Sequence, residues 1–568
     1  MNILKTTIFV AAALLLGSCA DLDLDPLDTG SSDSWYQNEE EIKASISGLY
    51  RVDFFPIDGV KWNDDHQSRD RLNDFTAATL NGESWDVCTR WRNAYKAIAR
   101  CNILLDKLSD PQAIGITEEK AALYRAQVLF VRATQYGLLT SCFGDVVWVD
   151  KEITVEEAFK MGRTDKSEIM EHVYEDYDKA AESLPLTYGV AQEFATKSAA
   201  LALKARYALY NEDWGIAAQA AKDCMDLGAN QLYPDFSELF LATTHHASEN
   251  ILSWPYSLEL DMVTDSEGNI QGFSPRNRGG YASEYPSWDL FASFLCTDGL
   301  PIDESPLFDP HNPFKNRDPR CAATIVEFGT EHCGVVYDPN PNTTEVYSSV
   351  MGKNITNLDC KSGSQYASYN GLLRKKGVDE SWINNGSFKV AYDYVFIRYA
   401  EVLLTYAEAR IEADKIDKSV LDAINMVRAR AYKTDYTNSS AYPRVTTTDR
   451  NELRRIVRVE RRMELAYEGQ RYMDLIRWRL AEKVLNRPDY GLLDKDALVS
   501  KIIAKNLWFW PEVPQIDEDG VADFSSLYDK GYCKIITKRQ FDASKNYLWP
   551  IPSQEVITNP YLGQNDNY

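Results

Sequence analysis

Acidic and basic side chains alternate between residues 457 and 478, in a pattern compatible with acid–base chemistry or with structural ion pairs. Glu460, Glu464 and Glu468 recur every four residues, which places neighbouring carboxylates on one face of a helix. Two carboxyl groups close together can serve as general acid and base in hydrolysis. However, arginines are interleaved with these glutamates, and Arg461 precedes Glu464 by about one helical turn. We therefore interpret the segment as an ion-pair network that joins helices.

Other enzyme signatures are absent from the sequence. It contains no HExxH, GxSxG, GxGxxG or Walker pattern, the short motifs of metalloproteases, serine hydrolases and nucleotide-binding proteins. The segment "DSEGNIQG" (265–272) has oxygen ligands at alternate positions, but its glycine comes too early for an EF-hand loop. We expect a surface turn there, and we predict neither a cofactor nor a metal site.

The elements that must position any functional residues are mainly helical. In the segment 395–413, apolar side chains recur at three- and four-residue spacing, which predicts an amphipathic helix. Paired helices, small residues at their contacts and short turns are typical of tetratricopeptide-type hairpins. The predicted helices cover residues 120–140, 167–184, 197–213, 214–228, 395–413 and 420–432.

A different composition separates the helical segments. Residues 233–392 are rich in proline, glycine, asparagine and aromatic side chains and have no sustained helical period. A structureless loop of this length is improbable, so we expect a loop-rich subdomain with short strands. The predicted parts are an N-terminal helical part at 35–232, this insertion at 233–392, and a C-terminal helical part with an irregular tail at 393–568.

The first 34 residues predict export and lipid attachment. An apolar stretch, Ile8–Leu16, is followed by two small residues and Cys19 in the segment "LLLGSCADLDLD". This arrangement resembles a bacterial lipoprotein signal, which implies removal of residues 1–18 and acylation of Cys19. Residues 19–34 are then a flexible tether. The alternative is an ordinary secretory signal with an incidental cysteine.

Net charge and cysteine content limit the possible partners and disulfides. The chain has 85 acidic and 61 basic side chains and a net charge of −24, which becomes −25 when residues 1–18, with Lys5, are removed. This acidity argues against nucleic acid and anionic lipid surfaces as partners. Of ten cysteines, nine remain if Cys19 is acylated. Because nine is odd, at least one thiol stays outside any intramolecular disulfide.

Several motifs occur along the chain in a characteristic order. They are "FGDVVWV" (143–149), "DGLPIDESPLFDPHNPFKNRDPR" (298–320), "FIRYAEVLLTYAEA" (396–409), "INMVRARA" (424–431), "VRVERRMELAYEGQRYMDLIRW" (457–478) and "YLWPIPSQEVITNPYLGQNDNY" (547–568). In order and spacing they resemble the SusD/RagB family of outer-membrane nutrient-binding lipoproteins of Bacteroidetes-type bacteria. The resemblance covers essentially the whole chain.

The resemblance implies a mainly α fold, in which a tetratricopeptide-like helical-hairpin scaffold carries a loop-rich, short-strand subdomain that faces ligand. It also implies a cell-surface protein that captures glycan and acts as a lid for a SusC-like TonB-dependent transporter. The lipid anchor would hold it on the outer membrane, with Asp21, Asp23 and Asp25 as an export signal to the outer face. Binding without turnover is implied, so we predict that the protein is not an enzyme. The alternatives are a peptide or other nutrient lid, a structural lid without a ligand, and a surface hydrolase.

Candidate glycan contacts are aromatic and polar side chains that occur together on loops. Sugar rings stack on aromatic faces, and their hydroxyls pair with carboxylate, amide or guanidinium groups. The resemblance favours the early loops at 60–70 and 80–91. The predicted ligand-binding residues are Trp62, Asn63, Asp64, Asp65, Asn81, Trp85, Tyr285, Trp288, Arg374 and Trp382. For each aromatic side chain the alternative is packing within the loop core.

Overall fold

Helices form most of the regular structure in the computed structural model, which describes residues 35–57, 59–69, 71–189, 194–262, 270–378 and 389–568. The first ten are α1 Glu39–Ser47, α2 Trp85–Lys107, α3 Glu118–Phe143, α4 Val155–Ala158, α5 Lys166–Ser183, α6 Lys197–Tyr210, α7 Trp214–Asp226, α8 Ile270–Phe273, α9 Trp288–Ser293 and α10 Pro319–Thr324. The remaining helices are α11 Tyr399–Glu412, α12 Lys418–Ala431, α13 Arg450–Leu465, α14 Gln470–Arg477, α15 Ala481–Val484, α16 Lys495–Lys501, α17 Ser525–Asp529 and α18 Ser553–Thr558. Short 3₁₀ turns occupy Val52–Phe54, Arg276–Arg278 and Ile503–Lys505.

The strands are short and form small antiparallel sheets. They are β1 His66–Ser68, β2 Asn250–Trp254, β3 Glu284–Pro286, β4 Thr330–His332, β5 Val335–Tyr337, β6 Glu345–Ser348, β7 Lys353–Thr356, β8 Tyr394–Arg398, β9 Pro488–Gly491, β10 Gln515–Ile516, β11 Ala522–Asp523 and β12 Lys534–Lys538. The largest sheet has the order β4-β5-β6-β7, and the pairs β1-β3, β2-β8, β9-β12 and β10-β11 complete the set. The mainly α fold class with short strands is therefore confirmed.

The helical scaffold is built from neighbouring helices that pack through small residues. Thr117 and Thr196 cap α3 and α6 by accepting hydrogen bonds from backbone N–H groups of the first turn. Helices α6 and α7 bury a series of alanines against their neighbours. On α3, a Cβ added to Gly137 would come within 2.6 Å of the Tyr207 ring. This close approach explains why glycine is tolerated inside a long helix.

Most predicted helices form within a few residues of their predicted bounds. The segment 395–413 is the exception, because its first four residues belong to β8 and the helix α11 begins only at Tyr399. Strand β8 pairs with β2, a largely buried strand of the loop-rich region. An apolar Val-Phe-Ile run fits either a strand or a helix, and here pairing with a distant strand makes it a strand.

Two of the five clusters of buried hydrophobic side chains in the described residues form the main cores. The larger one lies between the long helices α2, α3, α5, α6, α7, α11 and α12. The second is rich in aromatic side chains and joins α9 and α10 to the irregular C-terminal region through Trp288, Phe509, Trp510 and Phe524. This second core fixes the loop-rich region against α13, since Met463 packs into it.

All nine cysteines in the described part of the chain are free thiols. Eight of them are buried and one, Cys88, is partly exposed. The prediction that at least one thiol stays unpaired is confirmed. No helix in the described ranges is both long and apolar enough to cross a membrane.

Candidate functional site

A cleft of about 750 Å³ lies between the early loops, the loop-rich region and the start of the C-terminal helices. It brings together three of the predicted ligand-binding residues, Trp62, Trp85 and Arg374. Its other lining residues are Ile57, Gly59, Val60, Lys61, Asp86, Leu239, Phe240, Leu241, Tyr256, Ile270, Phe273, Lys376, Gly377, Tyr392, Asp393, Tyr394, Val395, Tyr467 and Glu468. Aromatic surfaces with a few charged groups are the composition expected of a small-molecule site.

Trp85 is the most exposed aromatic side chain of the cleft. It is the first residue of α2, and 74% of its surface is open to solvent. The preceding turn is held by Asn81, whose side chain accepts a hydrogen bond from the backbone N–H of Glu83 at 2.8 Å. Ser84 donates its hydroxyl to Asp74 at 2.7 Å. The turn therefore presents a large apolar face to water that the protein itself does not cover.

Trp62 is anchored in the cleft wall. Its ring stacks on Phe75 with centroids 3.9 Å apart and an interplanar angle of 21°. The rings of Tyr472 and Trp549 meet it edge-on at 5.6 and 5.4 Å. One face of Trp62 is thus already occupied, and the side chain is only partly exposed. It forms a rigid part of the wall and leaves less free surface than Trp85.

Arg374 lies between two aromatic rings. Its guanidinium carbon is 4.7 Å from the centroid of Phe273 and 4.5 Å from that of Tyr467. Its Nε atom donates to the backbone carbonyl of Lys376 at 2.9 Å. Burial lowers the pKa of this guanidinium, although arginine stays charged at neutral pH. The planar group is held in one orientation at the cleft surface.

The other cations of the cleft have carboxylate partners. Lys376 donates to Glu468 at 2.5 Å and to the carbonyls of Glu464 and Ala466 at 3.0 and 2.9 Å. Burial nevertheless lowers the pKa of Lys376 to about 8. Lys61 is 3.5 Å from Glu284, whose pKa is lowered to about 2 because His66, Lys61 and Ser68 stabilise the carboxylate against the opposing effect of burial.

A group of tyrosines forms another wall that the sequence analysis missed. Tyr256 and Tyr394 are stacked, with ring centroids 6.3 Å apart and an interplanar angle of 17°. Tyr392 also lines the cleft. Tyr392 and Tyr394 are two residues apart, at the start of β8, and this spacing places side chains on the same side of an extended segment. The alternation was visible in the sequence and could have indicated this wall.

Five predicted contacts are buried and offer no surface to a ligand. Asn63, Asp64, Asp65, Tyr285 and Trp288 are between 0% and 3% exposed. This corrects their assignment as direct contacts. Two distant arginines explain the burial of the aspartates, since Arg462 and Arg471 bind Asp64 at 2.7 and 2.9 Å, and Arg462 binds Asp65 at 2.7 Å.

The two buried aromatic residues have structural positions. Trp288 packs in the second core and donates its ring N–H to the backbone carbonyl of Asn370 at 2.9 Å. Tyr285 belongs to β3 and pairs with Gln67 of β1. Asn81 is exposed but lines a separate depression that includes Lys545. The predicted residues Cys19 and Trp382 lie outside the described residues, as does most of the predicted turn at 265–272.

The acidic and basic segment at 457–478 forms a buried ion-pair network. Glu464 accepts hydrogen bonds from Arg398 at 2.7 Å, from Arg320 at 3.1 Å, and from Arg430. These arginines hold the pKa of Glu464 well below its usual range, against the opposing effect of burial. Glu468 binds Arg398 at 2.6 Å. The prediction of a network is confirmed.

The partners within this network differ from those expected. Arg461 binds Asp474 on α14 at 3.0 Å, not Glu464. Arg477 reaches both Asp474 and Glu408 of α11 at 2.8 and 2.6 Å. The segment therefore connects α13 with other elements of the fold. No group of three or more potential metal ligands occurs within the described ranges.

Comparisons with known proteins identify the family. The SusD family model matches residues 248–568, which is more than half of the chain. A second family model, described as starch-binding and associating with the outer membrane, matches residues 37–209. The fold, the motifs and these matches agree, and the chain belongs to the SusD family.

The similar proteins cover nearly the whole chain. A SusD-like protein of Formosa agariphila is 25% identical over 590 aligned positions, which are 98% of both chains. The solved structure of a SusD-like carbohydrate-binding protein from Bacteroides fragilis is 30% identical, with a TM-score of 0.75, and covers 93% of this chain and 99% of that one. A laminarin-binding SusD-like protein has the same fold, at 19% identity and a TM-score of 0.57, over 94% of this chain and all of that one.

Proposed function

We propose that this protein binds an oligosaccharide in the cleft that Trp85, Trp62 and Arg374 line. The observation that carries the proposal is Trp85, a tryptophan 74% exposed on a cleft wall. Exposed aromatic faces are costly in water, and they match the apolar faces of sugar rings. Asp86, directly beside it, supplies a carboxylate for sugar hydroxyls. The carbohydrate-binding and laminarin-binding relatives support the same ligand class.

We propose binding without turnover. The described lining of the cleft contains three carboxyl groups, and two are already engaged: Glu468 with Arg398 and Lys376, and Asp393 with His245 at 2.8 Å. Retaining and inverting glycosidases both need two carboxyl groups that flank the scissile bond. Asp86 alone does not supply this pair. This arrangement supports capture of the glycan over its hydrolysis.

The family suggests the cellular setting of this binding. We propose that acylated Cys19 anchors the protein in the outer membrane, facing the cell exterior. There it would capture ligand and close as a lid over a SusC-like TonB-dependent transporter. The second family model's description, association with the outer membrane, supports the location. Partnership with the transporter rests on family membership alone.

Replacement of Trp85 by alanine tests the binding site. We expect affinity electrophoresis of the chain that starts after Cys19 to show retardation by at least one polysaccharide in a panel. In W85A the affinity should fall about tenfold or more, because the stacking surface is lost. Trp62 is a poorer choice for this test, since its ring also supports Phe75 and Trp549.

Tyr561→Ala is the matched control, because Tyr561 is an aromatic residue 65% exposed outside the cleft lining. It should retain wild-type retardation. Equal loss in both variants would contradict the proposed location of the site. No retardation by any glycan would shift the assignment to a peptide-binding lid or a structural lid.

A further inference from the structure

One cation in the described part of the cleft lining has no carboxylate partner there. Within the described residues, no carboxylate oxygen lies within 4.0 Å of the Arg374 guanidinium, and its one hydrogen bond is from Nε to the carbonyl of Lys376. By contrast, the buried arginines Arg398 and Arg430 each bind two or more carboxylates. Arg317 also has no carboxylate partner in the described part of the chain, but its guanidinium donates to three backbone carbonyls, whereas that of Arg374 donates to one.

The environment of Arg374 makes an unpaired charge costly. The guanidinium carbon lies over the rings of both Phe273 and Tyr467, and these contacts displace water that would solvate the charge. A charge removed from water without a counter-ion costs free energy that a suitable anion would recover. The same two rings restrict the movement of the guanidinium, so the Arg374 side chain loses little conformational entropy when an anion binds.

The geometry leaves donors available at the cleft. The carbonyl of Lys376 accepts from Nε, whereas both terminal nitrogens of Arg374 have no acceptor among the described residues and remain for another one. A guanidinium presents these N–H groups in a fixed fork that matches the two oxygens of a carboxylate or the oxygens of a sulfate ester. A neutral sugar hydroxyl would use one of these donors and would leave the charge uncompensated.

General electrostatic attraction does not explain an anion at this position. The chain carries a net charge of −24, so the protein as a whole repels anions. Among the other charged groups of the cleft lining, Lys376 pairs with Glu468 and Lys61 with Glu284. Asp86 and Asp393 are further carboxyl groups of this lining, and they do not attract an anion. Recognition of an anion must therefore be local, and Arg374 is the group placed to provide it.

We propose that the glycan bound in this cleft is anionic and that Arg374 binds a carboxylate or sulfate ester on one of its sugar residues. This inference rests on the proposed glycan-binding function. Trp85 supplies the stacking surface, Asp86 an acceptor for hydroxyls, and Arg374 the charge selection. The last property separates acidic oligosaccharides from neutral ones of similar shape.

Paired polysaccharides that differ only in charge provide the test. The chain that starts after Cys19 is titrated with polygalacturonate and its methyl ester, alginate and its carboxyl-reduced form, and carrageenan and its desulfated form. Neutral laminarin and starch complete the panel. We expect at least one anionic polymer to bind about tenfold or more tightly than its neutralised counterpart. The uronate pairs report a carboxylate, and the carrageenan pair reports a sulfate ester.

Arg374→Gln is then measured against the polymer pair that binds. The variant should lose about tenfold or more of the affinity for the anionic member, whereas its affinity for the neutralised member, which loses at most one neutral hydrogen bond, should fall by clearly less, about threefold or below. Arg374→Lys keeps the charge without the planar fork, so its affinity for the anionic polymer should lie between those of the wild type and Arg374→Gln. Arg458→Gln is the control, because its guanidinium also stacks on an aromatic ring, that of Trp478 at 4.9 Å, outside the cleft.

The outcomes separate this inference from the function on which it rests. Preference for neutral polymers, or equal affinity for both members of every pair, overturns the anionic ligand but leaves glycan binding intact. If a folded Arg374→Gln variant loses equal affinity for the anionic and the neutralised polymer, Arg374 has a packing role, and the anionic ligand is again overturned. If no polymer in the panel binds, the proposed glycan-binding function itself fails.

Discussion

Trp85 and Trp288 show how the same residue type serves opposite purposes in this protein. Trp85 stands 74% exposed at the start of α2, whereas Trp288 is 3% exposed at the start of α9. Trp288 meets the rings of Phe509, Trp510 and Phe524 with centroids within 5.7 Å. Both residues follow a serine and precede an aspartate in the sequence. The local sequence therefore does not distinguish them, and only tertiary packing does.

Alanine substitution should separate these two roles. We expect Trp288→Ala to lower the free energy of unfolding by about 3–5 kcal/mol, because it leaves a cavity in the second core. Trp85→Ala should change it by less than about 0.5 kcal/mol, since the side chain is mostly in water. Urea denaturation followed by circular dichroism measures both. A Trp85→Ala variant as unstable as Trp288→Ala would show that Trp85 packs against the protein in solution.

Helix α13 connects more of the fold than any local pattern indicates. Arg462 of this helix binds Asp64 of the early loop. Glu464 binds Arg320 of the loop-rich region and Arg398, which in turn binds the buried Glu249. Each of these contacts joins residues more than 60 positions apart in the sequence. The helix thereby holds the cleft wall at Glu468 in a fixed position relative to the scaffold.

Loss of the Glu464 charge should destabilise this junction. We expect Glu464→Gln to cost about 3–5 kcal/mol at pH 7, because three buried arginines lose a shared counter-charge. The folded-state pKa of Glu464 lies below its ordinary value of 4.5. Its contribution is therefore complete above about pH 4.5 and is lost as pH falls toward the folded-state pKa.

Urea midpoints at pH 7 and pH 3 measure this effect, and the gap between wild type and Glu464→Gln should narrow at pH 3. Glu518→Gln serves as control, since Glu518 is exposed and its removal should shift stability little at either pH. A gap that widens on acidification would contradict the assigned role of Glu464.

The whole molecule combines a strongly acidic surface with a proposed lipid anchor. Its net charge of −24 disfavours adsorption to anionic membranes, so membrane association must come from another source. In the proposed arrangement, acyl chains on Cys19 provide it, at about 0.8 kcal/mol for each buried methylene group. Such an anchor would confine the protein to the membrane of the proposed transporter, and this would raise the effective concentration of the pair.

Replacement of Cys19 by serine tests this arrangement in the full-length chain. We expect wild-type protein to incorporate labelled palmitate, to fractionate with the outer membrane and to co-purify with a TonB-dependent transporter. Cys19→Ser should lose the label and the membrane fraction, whereas Cys88→Ser, at the partly exposed thiol, should keep both. If the Cys19→Ser variant still incorporated labelled palmitate, the anchor at Cys19 would be refuted. If the wild-type protein co-purified with no TonB-dependent transporter, the lid role would be refuted.

The sequence by itself determined the features that depend on neighbouring residues. The helical period gave the scaffold helices, since three- and four-residue spacing reflects helix geometry directly. Ordered motifs gave the family, and the alternation at 457–478 gave the ion-pair network. The domain boundaries that the sequence predicts, at residues 35, 233 and 393, stay predictions. Composition also selected Trp62, Trp85 and Arg374 as ligand candidates; the fold brings them to one cleft, and their role in ligand binding stays a prediction.

Tertiary structure decided which candidates face the cleft and which are buried. Asp64 and Asp65 look like solvent-facing loop acids, yet Arg462 and Arg471, about 400 residues away, draw them into the interior. Residues 395–398 became a strand because β2 lies beside them. Burial and ion pairing depend on contacts between distant segments, and a single sequence contains no local signal for them. Only the assembled fold shows that Arg374 has two aromatic neighbours and no carboxylate among the described residues.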